Sequence, residues 1–215
     1  MDREARLQFW KKIGEVKPDV IAPLINTAFN SNLPKWPSLE QSFITLKKTN
    51  GNTIIATDGL SSHFDPTLEN NNPNINGFEV EIYVETDEEI ADITASYQFD
   101  LVYQMSLQVA GGMKLKEMLD KYGILTSELY DIRVPAEFQN SEGRAGVILG
   151  LPSSDVQDSL QLSSSSIKIV NIKLLTLDEL KYVTENGASG RENLKNLFAE
   201  NSKTVSSLTR KSVVS

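Results

Sequence analysis

Residues 53–85 read TIIATDGLSSHFDPTLENNNPNINGFEVEIYVE, and the fold turns on how this stretch is parsed. β-Branched residues lead into Thr57-Asp58-Gly59-Leu60-Ser61, where Asp-Gly favours a tight turn. The run Asn70-Asn71-Asn72-Pro73-Asn74 predicts a loop, because Asn competes for backbone hydrogen bonds and Pro removes a donor. After it, Phe78, Val80, Ile82 and Val84 alternate with Glu79, Glu81, Tyr83 and Glu85. A period of two predicts a half-buried strand with an acidic outer face. The connection over 58–76 is longer than the usual span of roughly 4–6 residues, and long loops in compact folds tend to carry function. Strand, tight turn, long loop and strand together predict an arrangement that displays backbone and loop rather than a catalytic cluster.

Upstream, Leu7, Trp10 and Ile13 share one face of a predicted helix that stops before Gly14. Val20, Ile21, Leu24, Ile25 and Phe29 recur at helical spacing behind Asp19, a suitable N-cap. Two strands at 42–48 and 53–57 flank Thr49-Asn50-Gly51-Asn52, which predicts a hairpin with a type I′ turn.

Downstream, residues 98–110 fit either helix or strand by pattern, whereas 114–122 form a clearer helix closed by Gly123. A short strand is predicted at 146–151, then a flexible Ser-rich connection through Ser163–Ser166, then a strand at 167–175. Thr176 with Glu179, and Ser189 with Glu192, carry the spacing of capping boxes for two helices. The segment 205–214 reads as a final strand or a frayed end. Strands and helices are interspersed without regular alternation. That predicts an α+β fold, a mixed and largely antiparallel sheet flanked by helices.

Composition narrows the function classes. The chain has 215 residues, no cysteine, one histidine and a net charge of −8. Without cysteine there is no disulfide, thiol nucleophile or thiolate metal site. Lysine and arginine occur only as short pairs such as Lys11-Lys12, Lys47-Lys48 and Arg210-Lys211, so nucleic acid is not an expected ligand. No run approaches the roughly 20 apolar residues of a membrane span, and the mixed-charge opening lacks the apolar core of a secretory signal. A cytoplasmic protein is expected.

Candidate chemistry is sparse. His63 lies within a few residues of Ser61, Ser62, Asp58 and Asp65 on one loop, whereas a catalytic triad needs side chains converging from separate elements. The acids at Glu85, Asp87, Glu88, Glu89 and Asp92 lack calcium-loop spacing and read as a solvated strand end, so no metal is expected. Ala110-Gly111-Gly112-Met113-Lys114 lacks phosphate-loop spacing, and Gly146 and Gly150 sit in an apparent strand, where they mark a bulge or close packing. No cofactor follows. Glu79 and Glu81 leave open a carboxylate-dependent hydrolase whose acids converge only in the fold.

The order TDGLS (57–61) then NGFEVEIYVET (76–86) resembles the suppressor-of-fused domain family. GEVKPDVIAPLINTAF (14–29), FDLVYQMSLQVAGG (99–112), GRAGVILGLP (143–152), NIKLLTLDELKYVTENG (171–187) and SLTRKSVV (207–214) are similar to segments of its bacterial branch, in the same order. The resemblance spans nearly the whole chain and implies one domain over 1–215, with a helix at 98–110. It also implies a non-catalytic module that binds another protein. Animal members capture a segment of a transcription factor as an added strand, and bacterial members are associated with immunity to polymorphic toxins. The partner-binding residues expected on this reading are Asp58, Gly59, Ser61, His63, Phe64, Glu79 and Glu81, with Phe64 near the aromatic residue of the family's loop.

Overall fold

The computed structural model describes residues 1–22, 34–37, 41–64 and 74–214. Its elements are α1 Asp2–Ile13, β1 Gly14–Val16, β2 Phe43–Lys48, β3 Thr53–Thr57, β4 Val80–Thr86, α2 Tyr97–Ala110, α3 Leu115–Tyr122 and β5 Leu125–Leu129. They continue with β6 Ala145–Leu149, β7 Ser159–Gln161, β8 Ser166–Leu174 and α4 Leu177–Glu200. The strands form one eight-stranded sheet in the order β1-β2-β3-β4-β8-β6-β5, with β7 also on β8. Every strand pair is antiparallel except β4–β8, which is parallel. The expected α+β class is therefore the observed one.

The sheet is covered on both faces. On one, Leu101, Val102, Met105 and Val109 of α2 pack against Ile55, Val80, Ile82 and Val84. On the other, Phe9 and Trp10 of α1 meet Ile44, Leu46, Ile54 and Tyr83, and Trp10 stands edge-on to Tyr83 at 5.7 Å. Each such apolar side chain contributes roughly 1.5–3 kcal/mol on full burial. Towards the β6 side, Leu180, Val183, Leu194 and Phe198 of α4 close over Ile148 and Leu175. Gly146 permits this approach, because a Cβ there would lie 2.8 Å from Leu180.

Double coverage overturns the half-buried reading of β4. All seven of its residues are buried, Glu81, Tyr83 and Glu85 included. Alternation reported which side chains face α2, but the opposite face meets α1 and not water.

The hairpin β2–β3 forms as expected, yet its turn is not type I′. Only Gly51 has positive φ, +90°, and the closing bonds are Gly51 N–H to the Lys48 carbonyl at 3.0 Å and Lys48 N–H to the Asn52 carbonyl at 2.8 Å. That is a three-residue loop with a glycine bulge, which needs one left-handed residue and not two.

The helix expected from Asp19 lies mostly outside the described residues. Its described start is extended, with Ile21 and Phe43 exchanging backbone bonds of 3.1 and 2.8 Å. The Ser-rich connection is not slack: Ser163, Ser164 and Ser165 bond to Asp2 and Asn76. The Thr176–Glu179 capping box is present. Ser189 caps nothing and instead donates to the Asn186 carbonyl, because α4 continues past a break at Gly187, φ 57° and ψ −129°. Asn70–Pro73 of the predicted loop lie outside the described residues.

Candidate protein-binding surface

The seven expected partner-binding residues separate into three places. Asp58, Gly59, Ser61 and Glu81 build a buried clamp beneath the TDGLS turn. Glu81 Oε1 accepts from the Gly59 N–H at 3.1 Å, the Ser61 N–H at 2.9 Å and the Ser61 hydroxyl at 2.6 Å. Its Oε2 accepts from Thr57 Oγ1 at 2.5 Å. Arg6 of α1 enters from above, with Nε 2.6 Å from Asp58 Oδ1 and 3.6 Å from Glu81 Oε1. Burial pushes the Glu81 carboxyl above its usual range, against the pull of Arg6, while the two carboxylates hold the Arg6 guanidinium above its own. The clamp fastens α1 and the turn to β4. It presents nothing outward at Glu81, which is fully buried.

His63 sits in a second knot, on the surface. Its Nε2 lies 3.2 Å from Ser163 Oγ, 3.3 Å from Asn76 Nδ2 and 3.2 Å from Asp2 Oδ2. An acid, a histidine and a serine meet here, but on one ring nitrogen, and Ser163 Oγ donates directly to Asp2 at 2.7 Å. A proton relay needs the two ring nitrogens to serve different partners. The knot ties the start of α1 to residues 63, 76 and 163–165.

Phe64 and Glu79 line a third place, a groove of about 340 Å³ shared with Ile75, Phe78, Met113 and Lys116. Phe64 packs edge-on to Phe78 at 5.3 Å, and Glu79 lies 4.0 Å from Lys116. Glu79, at φ 55° just ahead of β4, lines this groove, whereas Glu81 is buried in the clamp. The two acids of the hydrolase reading therefore do not share a cavity. Among the described residues no three His, Asp or Glu side chains gather as a metal site.

The feature the sequence did not announce is β5. It ends the sheet order, so its outer edge has no strand partner within the described residues. Leu125 and Leu129 are buried while Thr126, Ser127 and Glu128 are half-buried. Two adjoining grooves, of about 440 and 320 Å³, run between this strand and α4 and share Glu128, Leu180 and Thr184. At the strand's end Tyr130 is exposed, with the Arg144 guanidinium 4.4 Å from its ring centre. The weak period of Leu125, Ser127 and Leu129 behind the Gly123 helix stop was the available signal.

This architecture has a solved counterpart. The chain has a SUFU-like fold. It superposes on a chain of the Sufu–Fu complex crystal structure with a TM-score of 0.55 at 10% sequence identity, over 98% of this chain and 90% of that one. No protein-family model and no curated protein matches the sequence. Among the described residues no helix is long and apolar enough to cross a membrane.

Proposed function

We propose that this chain is a non-catalytic protein-binding module that takes an extended segment of its partner along the edge of β5. The observation that carries the reading is this edge itself, which has no strand partner among the described residues, ends a sheet covered on both faces and is flanked by two grooves. Edge backbone supplies main-chain hydrogen bonds to an added strand, and flanking pockets take alternate side chains. The SUFU-like fold supports this, since its counterpart was solved as a protein complex. The resemblance to bacterial suppressor-of-fused segments supports a finer reading: a cytoplasmic immunity protein that sequesters and neutralises a toxin domain. A net charge of −8 suits a basic partner, whose approach it would steer.

Co-purification with the tagged chain from its native cells tests the proposal. Wild type should retain a specific partner. The double variant Thr126→Lys with Thr184→Trp, which fills the groove beside β5, should retain at least tenfold less at unchanged melting temperature. Equal capture by both, or no specific partner, would refute it.

A further inference from the structure

β4 and β8 run parallel in register from Val80↔Lys168 to Tyr83↔Asn171. There the ladder stops, although β4 continues to Thr86 and β8 to Leu174. Ser206 occupies the gap and bonds to both sides. Its N–H donates to the Glu85 carbonyl at 2.8 Å, it bridges Thr86 in parallel, and its hydroxyl accepts from the Leu174 N–H at 3.1 Å. Lys173 Nζ donates to the Val205 carbonyl. Further along, Glu88 Oε1 accepts from the Leu208 N–H at 2.6 Å and the Ser207 hydroxyl at 3.3 Å. Arg210 then forks onto Glu179, with Nη1–Oε1 2.6 Å and Nη2–Oε2 2.5 Å, and donates to the Leu174 carbonyl at 2.8 Å.

Residues 205–214 use this slot as a bound peptide would. The slot's acceptors are oriented by groups outside the segment: Glu179 by the Thr176 N–H at 2.9 Å, Glu88 by Gln98 Nε2 at 2.9 Å. The segment's apolar side chains, Val205, Leu208, Val213 and Val214, are only half-buried, so its hold comes mainly from hydrogen bonds and the Arg210 fork. A turn through Asn201 and Ser202, the latter at φ 52°, separates it from α4.

We propose that the divergence of β4 and β8 is a peptide-binding site, occupied in cis by residues 205–214 and able to take the same segment in trans. Its ligand is an extended chain with two adjacent hydroxyl residues and an arginine three positions after the second, as in Ser206-Ser207-Leu208-Thr209-Arg210. The bidentate arginine on a fixed carboxylate gives the specificity. The site lies between β4 and β8, with β6 separating it from β5, and the inference does not depend on β5 taking a partner.

A labelled peptide of residues 203–214, titrated into the full chain, tests it. A tethered segment competes at an effective concentration of order millimolar, so wild type should bind the peptide weakly. Arg210→Ala weakens the cis segment but keeps Glu179, and should bind the peptide at least tenfold more tightly than wild type. Arg210→Ala combined with Glu179→Ala should lose that gain. Binding by Arg210→Ala no tighter than wild type, or unchanged in the double variant, overturns the proposal. Circular dichroism establishes that the variants fold. If they do not, a protease site across 202–204 in the otherwise natural chain decides the matter. After cutting, the released segment should co-elute with the protein and exchange with labelled peptide; loss without rebinding, or retention without exchange, overturns it.

Discussion

Two buried arginine–carboxylate clamps fasten remote segments to the sheet, and they are unbalanced in opposite directions. Under α1, one buried arginine, Arg6, faces two acids, Asp58 and Glu81, while the exposed Arg3 reaches Asp58 from outside at 3.4 Å. Behind β8, two bases, Arg210 and Lys173, attend one acid, Glu179. In each clamp the surplus group is the one whose charge burial disfavours: Glu81 is pushed up, and Lys173 is driven well below the usual lysine range. The paired acid behaves oppositely, since the Arg210 fork and backbone donors hold Glu179 below its usual value despite its burial. The interior sustains one ion pair per clamp, and the third member relies on hydrogen bonds. For Glu81 these come from Thr57, Gly59 and Ser61. Lys173 has the Val205 carbonyl and the Phe198 ring, 4.7 Å from its nitrogen to the ring centre.

Removing the shared cation should separate the clamps most sharply. Arg6→Ala leaves Glu81 without its cation and Asp58 with only the exposed Arg3, and should cost about 3–5 kcal/mol in denaturant unfolding. Arg210→Ala should cost less, about 1.5–3 kcal/mol, because Glu179 keeps the Thr176 and Val213 N–H donors. The reverse ranking would break the comparison.

Removing the surplus base is expected to be milder. Lys173→Met should stay within about 1 kcal/mol of wild type at neutral pH, since apolar replacement of a buried charged group is often neutral. A lowered lysine leaves the unfolded chain binding more protons between the folded value and 10.5, so wild-type stability should rise with pH across that window. The variant should lose that rise, measured by melting temperature against pH.

The smallest effects are the acid-side slopes. Glu81 is raised on folding, so its contribution is full below the ordinary carboxylate value and fades as pH rises through the folded one. Glu179 is lowered, so its contribution is present above the unfolded value and fades as pH falls through the folded one. Glu81→Gln should flatten the first slope and Glu179→Gln the second, each by about 1 kcal/mol. Equal slopes in the two variants would contradict the opposite imbalance.

Local chemistry made much of the fold legible. Asn50-Gly51 marked the β2–β3 hairpin, Gly123 the end of α3, and Thr176 with Glu179 the start of α4. What covers a strand's second face is not local, and for that reason Glu81 and Glu85 read as solvated. Glu85 instead pairs with Lys48 at 2.7 Å, and Glu88 anchors Leu208. The site fared similarly. In sequence, TDGLS reads as a displayed turn and Glu81 as an outward acid, whereas the structure folds them into one internal brace. Arg6 was missed although it lies one turn before Trp10 on the buried face of α1, where a lone cation implies a buried acid. β5 was missed because Leu-Thr-Ser-Glu-Leu has too few apolar residues to stand out from a loop.

The strand β8 is the last to appear in sequence, yet it lies between β4 and β6 at the centre of the sheet. During synthesis at roughly 5–20 residues per second, two half-sheets exist for seconds with β4 and β6 as open borders. Closing them requires a parallel pairing between distant parts of the chain, which is slow to nucleate. A nascent chain is thus at its most adhesive just before residues 166–174 leave the ribosome, and a pause there would favour aggregation over closure.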